Sequence, residues 1–434
     1  MGSLSRLLSL LVCLVTGLSA TVFQTTLATG LPTSGGLTGL AAAPDGRVFV
    51  LQRTGQVQLF ESGMLSPVVH LNTIASFTSL AGEHGLLGVA LDPDFGSNGY
   101  VYLHYNTSLP GGLVSNRISR FTLVGSTINT ATEQILIDLE ASGNNGHVGG
   151  GMVFGADGQL YVGVGDRRVP ASAATATDTW GSVLRLNPNG TFAGGDVIPL
   201  TGNPFNTGQG NKGSAVYVQG LRNPFGIAVQ PGTGLMFIND AGEQNWEEIN
   251  AVAFGNPIGA PAGANFGWPG CEGNFSAANP TVDPCPTQPG TTTAPLYAYS
   301  SIGGPNPTGD CAITGGTFYL NTYLFSDFCS GKIRMLDLTT QTVNALPFYT
   351  LPGFGPTALA TSHDGNTVYY LDSRFGTFGQ LSQLAPVPEP ATLCTVALVL
   401  GFLLLRQPRF QLRPARVKRL YAGLRRGQLS QHEL

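Results

Sequence analysis

Six histidines occur in the 434-residue chain, and His147 keeps unusual company. It stands in NNGHVGGGMVFGADGQLYVGVGDRR, residues 144–168. Asn-Asn-Gly precedes it and three glycines follow, so the backbone there can adopt conformations closed to most sequences. A strand-like run comes next and ends in Gly-Asp at Asp166. A neutral imidazole near pH 7 is the natural side chain for taking a proton from a hydroxyl group. Three other stretches carry more polar chemistry than turn-making needs. They are GEHGLLGVALDPDF around Glu83, GLRNPFGIAV with Arg222 and Asn223, and NDAGEQNWEEIN followed by NFGWPG. The arginine offers a planar fork of donors. The loop with Asp240, Gly242 and Glu243 offers oxygen atoms that suit a hard cation.

Each of these residues also has an ordinary use. A histidine at a glycine-rich turn is more often a solvated loop residue. Arg222 could bond carbonyls between neighbouring sheets. Glu247 and Glu248 read as a solvated face rather than metal ligands, and Trp246 and Trp268 as packing.

What must position these stretches is a β framework. Glycine contributes 60 residues and proline 29, while only 11% are charged, which is too apolar for a disordered chain and too turn-rich for a helical bundle. One unit recurs: an apolar strand, a Pro/Asp/Gly turn, a second apolar strand. It appears as LTGLAAAPDGRVFVLQRTG, LLGVALDPDFGSNGYVYLHY, GGGMVFGADGQLYVGVGD, FGIAVQPGTGLMFINDAG, GGTFYLNTYLFSDFCSGKIRML and LATSHDGNTVYYLDSRFG. Each is a hairpin signal, and no long helical periodicity separates them. Repetition at irregular intervals predicts an all-β chain, a six-bladed β-propeller of four-stranded blades with long insertions. His147 would then stand at the mouth of the central channel, where loops carry function.

Taken together, the Glu83 stretch, His147 with Asp166, GLRNPFG, EIN and NFGWP resemble the soluble glucose/sorbosone dehydrogenase family, to which the propeller of the animal hedgehog-interacting protein is related. The resemblance covers roughly residues 25–380. It implies a six-bladed propeller that oxidises sugars with pyrroloquinoline quinone and binds calcium. It further implies His147 as the base and Asp166 as the carboxylate that sets the imidazole tautomer. Arg222 and Asn223 match the donors to the quinone oxygens, where negative charge builds up. Glu83 stands at the cofactor edge, where the glucose enzymes have glutamine. The carbonyls of Gly242 and Glu243, with Asp240 nearby, match the calcium loop. One part of the pattern is missing. Gly355 and Thr357 stand where arginines grip the cofactor's carboxylates, and Cys329 falls near the place of a lysine, with Lys332 three residues later. Charge-assisted grip on a polyanionic quinone is weakened accordingly, unless Arg167, Arg168 or Lys212 substitutes.

The chain ends read differently. Residues 1–20 have Arg6, an apolar run and Ser19-Ala20, a secretory signal. Residues 21–385 would form the propeller. Residues 386–406 resemble the PEP-CTERM sorting signal of Gram-negative bacteria, whose Val-Pro-Glu-Pro motif is processed by an exosortase. The apolar run 391–405 would reach about 22 Å as a helix, short of a ~30 Å hydrocarbon core. Residues 407–434 form a basic tail; together with Arg406 it has eight Lys/Arg and one acid, the pattern of a cytoplasmic side. The body, by contrast, has 24 acids against twelve basic residues, which argues against a nucleic-acid partner. Export to the periplasm, envelope or cell surface, with C-terminal membrane attachment, is the expected location. Cys271, Cys285, Cys311 and Cys329 form an even set in an exported chain and predict disulfides. Of three pairings, Cys271–Cys285 and Cys311–Cys329 close the shortest loops.

These observations favour a sugar oxidoreductase whose partners are a sugar substrate and an electron acceptor. A binding propeller that has lost the quinone is the alternative. A hydrolase-like use of His147 and Asp166 lacks a nucleophile motif such as GxSxG.

Overall fold

The computed structural model describes residues 22–386 apart from short loop segments, the longest being 191–199, 278–284 and 286–291. The expected signal 1–20, and the expected sorting segment and basic tail beyond residue 386, lie outside the described residues. Among the described residues no helix is long and apolar enough to cross a membrane.

Each recurring hairpin becomes the two innermost strands of an antiparallel sheet. The innermost strands are Leu37–Ala42, Leu86–Leu91, Met152–Phe154, Pro224–Val229, Ile313–Tyr319 and Pro356–Thr361. Neighbours in this series touch in order, and the last touches the first, so the sheets stand around one axis. The second strands are apolar on both faces because each sheet is covered on both sides. In Val48–Gln52 every residue is buried. Phe49 joins a core shared with the second sheet, while Val50 joins one shared with the sheet at the chain's end. The same division recurs at Tyr161 and Val162, so the chain has a core between each pair of adjacent sheets. This is an all-β propeller.

The strand count corrects one expectation. Among the described residues five sheets have four strands, one has five, and a separate pair, Cys271–Glu272 with Phe275–Ser276, has two. In the five-stranded sheet the outer edge is split into Thr342–Val343 and Tyr349–Thr350, both paired with Lys332–Asp337. Pro347 interrupts the segment between them, and proline cannot donate to a ladder. The final sheet runs Val22–Leu31, Gly379–Pro386, Val368–Asp372, Pro356–Thr361 from outside to inside. The two ends of the unit are therefore joined in one sheet.

Around the axis the inner strands crowd one another. A β-bulge shifts the register where five of them begin, at Leu37/Gly39, Leu86/Gly88, Pro224/Gly226, Ile313/Gly316 and Pro356/Ala358. A Cβ on Gly88 would stand 2.0 Å from the Gly150 carbonyl oxygen, and one on Gly226 would stand 2.4 Å from that of Thr314. Only glycine permits that approach. Both expected disulfides, Cys271–Cys285 and Cys311–Cys329, are formed.

Candidate active site

His147 lies five residues before the inner strand Met152–Phe154, and Asp166 lies two after its partner strand Leu160–Val164. The hairpin returns the chain beside its own entry, so residues 19 apart in sequence meet: His147 Nδ1 is 2.6 Å from Asp166 Oδ1. The flanking glycines make the approach possible. His147 itself has φ of 53°, a left-handed conformation that a histidine adopts at some cost. It is held there by its main-chain N–H, which donates to Glu83 Oε2 at 2.8 Å.

On the opposite edge of the ring, Arg222 Nη2 donates to His147 Nε2 at 2.9 Å. A guanidinium has only donors, so Nε2 accepts and the proton sits on Nδ1, facing Asp166. The tautomer follows from these two partners. Arg222 spends its other donors locally: Nε on Glu243 Oε2 at 2.7 Å and Nη1 on the Ala241 carbonyl at 3.0 Å. Arg222 thus bonds a carbonyl and a carboxylate at the end of its own hairpin as well as the imidazole.

Asp166 is fully buried. Its Oδ1 also accepts from the Arg168 N–H at 2.8 Å, and its Oδ2 accepts from the Trp268 indole N–H at 2.8 Å. The slot it fills is a recurring one. Asn106, Asp240 and Asp327 also stand at or near the end of a second strand, where each ties down main-chain N–H groups at the start of its own hairpin. Asn106 takes Gly85 N, Asp240 takes those of Arg222 and Asn223, and Asp327 takes those of Cys311 and Ala312. In the third sheet this structural carboxylate is turned onto a histidine side chain.

Asn223 is buried, and its Oδ1 accepts from Gly149 N at 3.0 Å. It thereby steadies the glycine run after His147. Asp240 is close to Arg222 and Asn223, but both its oxygens are taken by their main-chain N–H groups at 2.9 and 2.6 Å. Burial pushes its pKa up to about 7. The Gly242 and Glu243 N–H groups donate to Glu247 and Glu272. Among the described residues no group of three His, Cys, Asp or Glu side chains is placed to hold a metal ion.

Glu247 and Glu248 are not the solvated face that adjacent charges suggested. Both are buried, because the strand Trp246–Val252 is covered on both faces. Glu247 accepts from Ile313 N, and Glu248 from Gly273 N. Burial raises both, Glu248 to about 8 with further repulsion from Asp240. Trp246 is a packing residue, stacked on Phe275. Trp268 packs too, yet its indole bond to Asp166 makes it part of the site. Glu272 was missed altogether: its Oε1 collects the N–H groups of Glu243, Gln244, Asn245 and Trp246 at 2.8–3.1 Å. This holds the loop that carries Glu243.

The side chains at or near the places where an anionic cofactor would be gripped are mostly engaged elsewhere. Cys329 is in a disulfide, and Lys332 Nζ is 3.9 Å from Asp310. The Arg167 guanidinium lies 4.0 Å from the Trp180 ring centroid. Lys212 opens the short helical turn Lys212–Ala215. Arg168 is exposed and its guanidinium packs against Gly146, one residue from His147.

Comparison with known proteins places the chain among relatives. The family model described as Glucose / Sorbosone dehydrogenase matches residues 37–347. The quinoprotein glucose dehydrogenase B of Acinetobacter calcoaceticus is 28% identical over 271 residues, which are 54% of this chain and 52% of that protein. The aldose sugar dehydrogenase YliI of Escherichia coli is 26% identical over 242 residues, 53% of this chain and 58% of that protein. The chain thus spans about half the length of the curated relatives it matches. In fold it is similar to the PQQ-bound aldose sugar dehydrogenase of Streptomyces coelicolor, with a TM-score of 0.65 and 22% identity over 85% of this chain and 99% of that one.

Proposed function

Because the chain belongs to the glucose/sorbosone dehydrogenase family, we propose that it oxidises a sugar hydroxyl with His147 as general base. The observation that carries this reading is the pair of contacts on one imidazole, Nδ1 to Asp166 and Nε2 to Arg222. Together they put the proton on Nδ1 and make Nε2 the basic nitrogen, with its lone pair held by Arg222 until a substrate takes that place. A sugar hydroxyl that displaces Arg222 from Nε2 would give its proton to that nitrogen as hydride leaves the carbon bearing the hydroxyl. Asp166 would stabilise the resulting imidazolium, and the guanidinium would bond the developing carbonyl oxygen.

Pyrroloquinoline quinone, when bound, would supply the acceptor for that hydride. The residues fit its reacting end, where Arg222 and Asn223 offer donors beside the base. They do not fit its carboxylate end, since positions 355 and 357 are Gly and Thr and Lys332 is near Asp310. Calcium would be held by the carbonyls of Gly242 and Glu243 rather than by Asp240, whose oxygens are occupied. We read the five-stranded sheet as the remaining blade of a six-bladed ring. Two disulfides support an exported protein. The sorting role of residues 386–406, exosortase processing and membrane attachment complete the proposal. It predicts that replacing Pro388-Glu389-Pro390 changes the size or location of the mature protein.

The missing carboxylate grip favours a second reading, a carbohydrate- or protein-binding propeller without the quinone. Purified protein reconstituted with the quinone and calcium separates the two. Oxidation of an aldose coupled to dye reduction supports the enzyme; no quinone-dependent absorbance and no dye reduction across a panel of aldoses supports the binding module.

A further inference from the structure

We infer that Trp268 is a positioning residue for the His147 imidazole; this rests on the sugar-oxidation reading above. Its indole Nε1 donates to Asp166 Oδ2 at 2.8 Å across 102 residues of sequence. The other carboxylate oxygen, Oδ1, receives His147 Nδ1 at 2.6 Å and the Arg168 N–H at 2.8 Å. Asp166 is fully buried, away from bulk solvent. With both oxygens bonded, the carboxylate cannot turn about its Cβ–Cγ bond, and Oδ1 stays aimed at the imidazole.

The same side chain also backs the other partner of the ring. The Arg222 guanidinium carbon lies 5.7 Å from the Trp268 ring centroid. One indole therefore touches both groups that bond the imidazole nitrogens. Trp268 is itself fixed from behind. Its main-chain N–H donates to the Gly220 carbonyl at 3.1 Å, two residues before Arg222. Gly267 beside it lies so near the Cys271–Cys285 bridge that a Cβ there would come within 2.9 Å of Cys271 Cβ. Bulk packing would need only the ring. The N–H directed at a buried carboxylate is what separates positioning from packing.

Trp268→Phe keeps an aromatic ring under Arg222 and removes the N–H. In the full-length protein, kcat for sugar oxidation should fall about 10–100-fold, as when the supporting partner of a functional histidine is lost. KM should change little, because the indole does not meet the sugar. In an Asp166→Asn background the same substitution should cost much less, since the two residues act through one bond. A second readout needs no substrate. The His147 Nδ1–H, bonded to a carboxylate, should give a downfield proton resonance in the NMR spectrum that is absent from His147→Ala. In Trp268→Phe that resonance should shift or broaden. Wild-type kcat in Trp268→Phe, or an undisturbed resonance, would overturn the inference. A disturbed resonance in a protein that oxidises no sugar would uphold the positioning by Trp268 and sink the sugar-oxidation reading instead.

Discussion

His147 Nε2 accepts a hydrogen bond from Arg222 Nη2 at 2.9 Å, although the two residues are 75 apart in the chain. The contact joins the loop entering the third sheet to the loop entering the fourth. With Asp166 on the other ring nitrogen, it fixes which nitrogen carries the proton before any substrate arrives. In a general base such readiness matters, because reorienting the ring would add to the barrier.

His147→Ala should therefore reduce sugar oxidation by about 10²–10⁴-fold, the usual worth of a positioned base. Asp166→Asn should also lower the rate, because an amide can favour the wrong tautomer. Dye-linked activity of both variants, with circular dichroism to confirm folding, checks this. Equal activity in wild type and His147→Ala would remove His147 from the chemistry.

Arg222 and Glu243 should separate in their effects. Arg222 serves three acceptors in different directions, His147, Glu243 and the Ala241 carbonyl, which a lysine ammonium cannot reproduce. Glu243 keeps 47% of its side chain exposed, and such a pair contributes at most about 1 kcal/mol. Arg222→Lys should cut kcat/KM severely, whereas Glu243→Gln should leave the melting temperature nearly unchanged. The ranking is read from steady-state kinetics and thermal unfolding on the same preparations.

His104 lies on the second strand of the second sheet, fully buried, with neither ring nitrogen bonded. Burial pushes its pKa down to about 3. It stays neutral when folded but takes a proton when unfolded below about pH 6.5, so its contribution to stability is lost as pH falls from there towards 3. His104→Leu should relieve this. Its advantage over wild type in urea unfolding should grow between about pH 7 and pH 4, reaching on the order of 3 kcal/mol. The buried acids run the other way. Asp240 and Glu248 hold protons to about 7 and 8 when folded but only to about 4 when unfolded, so their contribution is full below about pH 4 and is lost as pH rises from there to about 8. Glu248→Gln should flatten the loss between about pH 4 and 8, and the same urea series measures it.

The two disulfides close loops of 14 and 18 residues. Each should be worth about 2–4 kcal/mol. Thiol labelling of the folded protein should find Cys271, Cys285, Cys311 and Cys329 unreactive, and reduction should lower the denaturant midpoint. Four labelled thiols in the folded state would contradict this pairing.

The inner hairpins were legible because Pro-Asp-Gly and related turns break runs of β-branched and aromatic residues at fixed points. His147 and Asp166 are paired in sequence only through the family resemblance; in the structure they meet because a hairpin returns its second strand to the start of the first. Glu247 and Glu248 were not legible. Adjacent charges imply one solvated face, but here both faces of the strand are covered, so period-two reasoning loses its hold. Glu272 carried no sequence signal at all, since its partners are main-chain N–H groups of a loop 26 to 29 residues away. Trp268 stood in a noticed motif, yet nothing local says that its N–H points at Asp166. The split edge at Pro347 shows the reverse: its cause was visible, but strand pairing beyond the hairpins was not.

The sheet that unites Val22–Leu31 with Gly379–Pro386 also dictates an order of assembly. The first strand to be made has no partner until almost the whole described unit has followed it. Inner sheets can form from neighbouring sequence as the chain emerges, but the ring remains an open arc until residue 386 is free. An unpaired strand edge persists through that interval, which is when such a chain is most exposed to mispairing with its own copies. Pairing the two ends last makes synthesis through residue 386 the event that completes the final sheet.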